Sequence, residues 1–417
     1  MSGLRGGIPG VEVEAVSASD VVRGVAELLS APRVFEGDRP AHALGTGRIG
    51  AALALAVLAD AGPDGGSDAR LRRAAHGHLA AAAKSPGAMR PGGLYFGAAA
   101  LALAAHTMAR PGEYRGLLDA LTPRVREAAA ARTVALRAEL AAGAGLSAPT
   151  FDAVAGAAGL GRLLLALEPD GPALAELLAA LVELTGPDAG ARLPRWWTAG
   201  GPGTLGVGPE YPRGHLNLGL AHGIPGPLAL LATARLHGVG VAGLDEAVAA
   251  LGGWLAARRV GCHWPMALRV EDEEAGRLPA DPPTRAAWCY GTPGVARALF
   301  LAGTALGRPD WQRDAVAALV GTLREPAGWN LEGAGLCHGT GGLLRIAQRM
   351  AEDSGSAELA AHLPVLAATV TRELDAALAA APDPGLLDGT AGAALALHAH
   401  TAPRPDAPAW DTFLLLG

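Results

Sequence analysis

The stretch LCHGTGGLLRI, Leu336 to Ile346, joins a cysteine and a histidine to a glycine-rich entrance and then to an apolar run. Glycine at a helix entrance lets backbones approach closely, and a run without a polar face belongs in a helix packed on both sides. Outward from it, the same phrase recurs: a glycine, two residues, a small residue, then an alanine- and leucine-rich run. The six further copies are LGTGRIGAALAL from Leu44, LYFGAAALAL from Leu94, AVAGAAGLGRLLL from Ala153, LAHGIPGPLALL from Leu220, WCYGTPGVARALF from Trp288 and LLDGTAGAALAL from Leu386. Their first glycines, with Gly339 of the opening stretch, are Gly47, Gly97, Gly156, Gly223, Gly291 and Gly389, at intervals of 50, 59, 67, 68, 48 and 50 residues. Each interval has room for two helices at a rise of about 1.5 Å per residue.

Between the phrases lie amphipathic stretches beginning near Ser19-Asp20, Ser67-Asp68, Gly112-Glu113, Pro172-Ala173, Leu244-Asp245, Pro309-Asp310 and Ser356-Ala357, several opening on an N-cap or first-turn acid. Segments such as 68–84 and 112–143 carry charge on one face and read as outer helices; 51–58 and 98–105 are apolar all round and read as inner ones. Seven such pairs could stack as an open solenoid or close into a ring. The absence of an obvious polar capping repeat and the irregular spacing favour closure. The predicted fold is therefore all-α, an α/α toroid of seven inner and seven outer helices, forming a single domain over 1–417 with loop insertions near 193–215 and 260–284.

Composition narrows the function. The 417 residues are half hydrophobic, which excludes a wholly disordered chain despite 59 glycines and 31 prolines. A net charge of −6, from 34 basic and 40 acidic residues without a long basic run, offers no footprint for nucleic acid or an anionic membrane. Three cysteines make no disulfide framework and suit a reducing compartment. The amino terminus lacks the basic-then-apolar order of a signal peptide, and no stretch stays apolar for about 18 residues. A soluble, cytoplasmic protein without an integral membrane segment is expected.

If the seven phrases are equivalent, the two residues before each first glycine form a belt around one mouth of the ring. The pairs are Gly45-Thr46, Tyr95-Phe96, Val154-Ala155, Ala221-His222, Cys289-Tyr290, Cys337-His338 and Leu387-Asp388. Cys289, Cys337 and His338 then supply two soft thiolates and an imidazole, a set suited to Zn²⁺ with a fourth position left for water or substrate. The plainer reading makes each cysteine a small core hydrophobe. His222 can transfer a proton near neutral pH or simply be a satisfied core histidine. Tyr290 can donate from its hydroxyl or only pack. Arg285 can stabilise an oxyanion or lie in a surface loop. Asp152 can hold the arginine, orient the histidine, or act as an ordinary N-cap. Cys262 and His263, in VGCHWPM, mimic the Cys337-His338 pair but fall outside every phrase, in what reads as a short extended excursion. No P-loop, H-E-x-x-H or nucleophile-elbow motif occurs in a fitting context.

With these phrases together, HLNLGLAHGIPGPLALL from His215, RAAWCYGTPG from Arg285 and LCHGTGGLLRI from Leu336, the chain resembles the LanC-type lanthipeptide cyclases across nearly its whole length. The resemblance implies an α/α toroid, a Zn²⁺ cofactor held by Cys289, Cys337 and His338, and His222 as the acid/base residue. Tyr290, Arg285 and Asp152 match further active-site positions; Asp152 does so through FDAVAGAAG, where Phe151 replaces the family's usual tyrosine. The implied reaction adds peptide cysteine thiols to dehydroalanine or dehydrobutyrine to form thioether rings. The implied partners are a dehydrated precursor peptide with its leader, a separate dehydratase and an exporter. A related enzyme adding glutathione or another small thiol to dehydroamino acids, a prenyltransferase- or terpene-cyclase-like barrel, and a non-catalytic helical scaffold are the competing readings. Aromatic residues at 4% and no aspartate in the ligand set disfavour the barrel enzymes.

Overall fold

The glycine phrases open a ring of inner helices in the computed structural model, which describes residues 16–31, 35, 40–60, 68–186, 193–201, 210–280, 284–402 and 409–417. Residues 1–15, on which the reading of the amino terminus rests, lie outside it, as do 202–209 and 281–283 of the two insertions. In chain order the first helices are α1 (Ala18–Ser30), α2 (Arg48–Ala59), α3 (Ala69–Ala83), α4 (Gly97–Met108), α5 (Arg115–Ala142) and the short α6 (Ala148–Phe151). Next come α7 (Ala157–Leu167), α8 (Pro172–Val182), α9 (Pro225–Leu236), α10 (Leu244–Ala256) and the short α11 (Val270–Glu274). The last are α12 (Thr292–Ala305), α13 (Pro309–Leu323), α14 (Thr340–Ser354), α15 (Ala357–Ala379) and α16 (Thr390–Thr401).

Helices α2, α4, α7, α9, α12, α14 and α16 form the inner layer, each touching the next, and α16 returns to α2, so the ring is closed. The fold is an α/α toroid of seven inner and seven outer helices among the described residues. Composition explains the layers. In α4 every residue but His106 is buried, whereas α3 buries Leu71, Ala75, His78, Leu79 and Ala82, a single stripe at helical spacing. Asp68 caps α3 by accepting from the Arg70 and Leu71 N–H groups. Helix α5 begins at Arg115, three residues after the expected start, because Tyr114 takes a left-handed conformation at φ 56°.

The phrases are stitched together by backbone hydrogen bonds. Ala221 N–H donates to Cys289 O (3.3 Å), Cys289 N–H to Cys337 O (3.1 Å), Cys337 N–H to Leu387 O (2.9 Å) and Leu387 N–H to Gly45 O (3.0 Å). These bonds join the first residue of one pair to that of the next, which puts the pairs in a belt. The glycines make it possible. Gly291 caps α12 at φ +99°, where a Cβ would lie 1.8 Å from Arg285 O, and a Cβ on Gly342 would lie 2.0 Å from Leu336 O.

Two features went unpredicted. The insertions meet as a two-stranded antiparallel sheet, β1 (His215–Asn217) against β2 (Ala267–Arg269), with Leu216 opposite Leu268. And residues 410–416, one turn of 3₁₀ helix and a buried tail, enter the ring and form its floor. Tyr95 Oη donates to Phe413 O (3.0 Å), Trp288 Nε1 to Leu414 O (2.8 Å), Arg297 Nε to Leu416 O (2.6 Å) and Arg162 Nη2 to Gly417 O (2.9 Å). Asp411, 1% exposed, takes Arg345 Nε at 2.7 Å and Arg349 Nη2 at 2.7 Å. Burial pushes its carboxyl up, but the two guanidiniums outweigh this and hold it well below the usual carboxylate range. Arg162 Nε and Arg297 Nη1 are buried without a hydrogen-bond partner among the described residues, and burial lowers Arg162 to about 10.

Candidate metal centre and catalytic site

Cys289 ends the loop before α12, and Cys337-His338 ends the loop before α14. The bond from Cys289 N–H to Cys337 O clamps these loops side by side. As a result the Cys289, Cys337 and His338 ligand atoms all lie within 4.8 Å of one another. The Cys337 thiol hydrogen-bonds the Cys289 sulfur, which, with His338 and Arg285 and against the cost of burial, brings Cys289 down to about 5. That same hydrogen bond, with burial and the thiolate's charge, pushes Cys337 far up. The two sulfurs therefore titrate as one coupled pair. His338 is raised, chiefly through its hydrogen bond to Cys289. Two sulfurs and an imidazole this close form a donor set able to hold a thiophilic metal.

Two acids flank the imidazole. Asp388 Oδ1 stands 3.5 Å from His338 Nδ1, and Glu332 Oε2 stands 3.8 Å from His338 Nε2. Glu332 also accepts from Arg285 Nη2 at 2.7 Å, which ties that arginine to the carboxylate beside His338. Burial raises the Asp388 carboxyl.

The proton-transfer side comes from the third and fourth phrases. Asp152, buried at the end of α6, accepts at Oδ1 from the N–H groups of Val154 (3.1 Å), Ala155 (2.7 Å) and Gly156 (2.8 Å), the entrance to α7. Its Oδ2 lies 2.7 Å from His222 Nδ1. Ala153 N–H donates to Ala221 O (3.1 Å), which brings the two phrases together. Burial opposes a charged His222, yet the hydrogen bond and charge of Asp152, helped by Cys289, outweigh it and raise its pKa above 6.5. With Nδ1 held by the carboxylate, Nε2 is the nitrogen left to exchange a proton with a bound molecule.

Tyr290 links the two sides, its ring centroid 6.4 Å from that of His222. Its hydroxyl accepts from Asn217 Nδ2 at 3.2 Å, and Asn217 Oδ1 in turn accepts from Gly219 N–H at 2.8 Å. Burial raises the Tyr290 phenol. Of the residues singled out in the sequence, Cys289, Cys337 and His338 come together, and His222 meets Asp152; Arg285 meets Glu332 and not Asp152. Cys262 is outside the three-ligand group. Asn217, Glu332 and Asp388 were missed. Asp388 stood in the belt and Asn217 in the HLNLG phrase, whereas Glu332 sits in a loop with no periodic mark.

A closed α/α ring with a Cys, Cys, His donor set and a histidine–aspartate pair at one mouth defines a narrow class of protein. The chain belongs to the lanthionine synthetase C-like family, whose model matches residues 41–415. It is 24% identical over 262 residues, 61% of this chain, to the nisin biosynthesis protein NisC of Lactococcus lactis subsp. lactis, and the match spans 61% of that protein's length. Its fold is that of the solved nisin cyclase, with a TM-score of 0.80 over 95% of this chain and 98% of the other at 21% identity. Among the described residues no helix is long and apolar enough to cross a membrane.

Proposed function

We propose that this protein is a zinc-dependent lanthipeptide cyclase, which adds cysteine thiols of a dehydrated precursor peptide to its dehydroalanine and dehydrobutyrine residues. The observation that carries the reading is the convergence of Cys289, Cys337 and His338 within 4.8 Å, at the same mouth as the His222–Asp152 pair, in a chain of this family. Zinc held by Cys289, Cys337 and His338 would supply the Lewis acidity that keeps a substrate thiol ionised at neutral pH. As thiolates, Cys289 and Cys337 would offset the cation's charge and so favour an electron-rich substrate sulfur, which suits addition better than a histidine-rich set would.

The remaining steps fall to the chain's own side chains. As the carbon–sulfur bond forms, the double bond's electrons move to an enolate, whose charge Arg285 offsets from the rim. His222, whose pKa Asp152 raises against the cost of burial, delivers a proton to the α-carbon, and Asp152 keeps the ring oriented for the transfer. Tyr290, held by Asn217, lies between the two sides and orders the substrate carbonyl. The product is a lanthionine or methyllanthionine bridge of unchanged mass. Upstream a separate dehydratase makes the acceptor residues, and an exporter follows.

Incubation of a dehydrated precursor with the purified protein tests this. Free thiols disappear from the peptide while its mass stays constant; thiols that remain open to alkylation at every protein concentration contradict the proposal.

A further inference from the structure

The Cys262-His263 pair takes no part in the site above, yet backbone hydrogen bonds and packing fix its place. Val260 N–H donates to His263 O (2.8 Å) and His263 N–H to Val260 O (3.0 Å), closing a two-residue turn with Gly261 at φ +61°. The turn presses Cys262 against α13 at Gly321, where an added Cβ would lie 2.6 Å from Cys262 Cβ and 3.0 Å from its sulfur. Cys262 Sγ stands 3.3 Å from His263 Nε2. Glu325, four residues beyond Gly321, brings Oε2 to 4.0 Å from that same nitrogen. Across the imidazole, Nδ1 lies 3.3 Å from Thr292 Oγ1. A proton on Nδ1 donated to that hydroxyl turns the Nε2 lone pair toward the sulfur, the arrangement that metal-bound histidines usually adopt. Tetrahedral bonds of about 2.3 Å to sulfur and about 2.0 Å to nitrogen place those two ligands about 3.5 Å apart, close to the separation found here.

We propose that Cys262, His263 and Glu325 form a second binding site for a thiophilic divalent cation such as zinc, separate from Cys289, Cys337 and His338. Two donors are in place. The third, 68% exposed and 4.0 Å from His263 Nε2, does not close on both donors as it stands and has to turn inward to bind, so this site is the weaker of the two. Occupied, it fastens the 260–263 turn to the end of α13 and, through Thr292, to the first turn of α12, the helix that follows Cys289.

Full-length protein stripped of metal and titrated with Co²⁺, followed by sulfur-to-cobalt charge-transfer absorption, tests the assignment. The wild type gives a tight step and a weaker one; Cys262→Ser keeps only the tight step, and Cys337→Ala only the weaker. Glu325→Gln moves the weaker step to a concentration about tenfold higher. A single step in the wild type, or a second step unchanged in Cys262→Ser, overturns the proposal. Failure of the catalytic reading shows up differently, as loss of the tight step alone. Should Cys337→Ala not fold, alkylation of Cys262 in the wild type decides: Zn²⁺ beyond the first equivalent slows labelling, and unchanged labelling overturns the proposal.

Discussion

At the mouth of the ring, the ligand atoms of Cys289, Cys337 and His338 stand within 4.8 Å of one another, a soft donor set with room for a cation. At the floor, both oxygens of Asp411 are taken up by Arg345 and Arg349, and the carbonyls of residues 413, 414, 416 and 417 each receive a side-chain donor. The same inner helices carry both regions. A carboxylate whose oxygens are matched by charged neighbours serves the architecture, whereas soft donors joined only by sulfur hydrogen bonds keep the capacity to take a cation from outside. Disabling either region should therefore leave the other's property largely intact.

The largest effect belongs to Cys337→Ala. Loss of a metal contribution of several kcal/mol lowers the ring-closure rate by about 10³-fold or more, while far-UV circular dichroism keeps its helical form. Asp411→Asn is the converse: breaking a buried charge cluster costs about 3–5 kcal/mol in urea unfolding, with thioether formation per folded molecule retained. Asp411 is held below the ordinary carboxylate range, so its contribution is present above about pH 4, the unfolded value, and is lost as the pH falls through the folded one. Equal loss of activity in both variants would erase the distinction between mouth and floor.

A smaller effect separates the two sides of the mouth. His222→Asn keeps the metal and lowers the rate by about 10²–10⁴-fold, the usual range for a general acid. Asp152→Asn is milder in rate and is recognised by its pH profile. Because Asp152 raises His222, the protonated imidazole persists above pH 6.5 in the wild type; without that support, the alkaline limb moves to lower pH. An unmoved limb would show that His222 is not the titrating donor.

Much of this was legible in the sequence because it repeats. The glycines before each inner helix are forced by backbone contacts as close as that of Gly291 with Arg285 O, so they mark each entrance, and the belt follows from their equivalence. The floor was not legible. AWDTFLLLG has no period, and its place depends on Arg162, Arg297, Arg345 and Arg349, which sit in α7, α12 and α14 far away in the chain. Asn217 and Glu332 escaped for the same reason: each acquires its partner, Tyr290 or Arg285, only when distant loops meet. Expected as a short extended excursion, the Cys262 segment is a two-residue turn closed by the Val260–His263 bridge, and its contact with α13 through Gly321 was invisible, since a missing side chain leaves no pattern.

Metal analysis of the extensively dialysed protein, wild type beside Cys337→Ala, bears most directly on the mouth. The account predicts one tightly held zinc per wild-type chain and none in the variant. A wild-type protein that folds and closes thioether rings without zinc, or a variant that keeps its full complement, would contradict it.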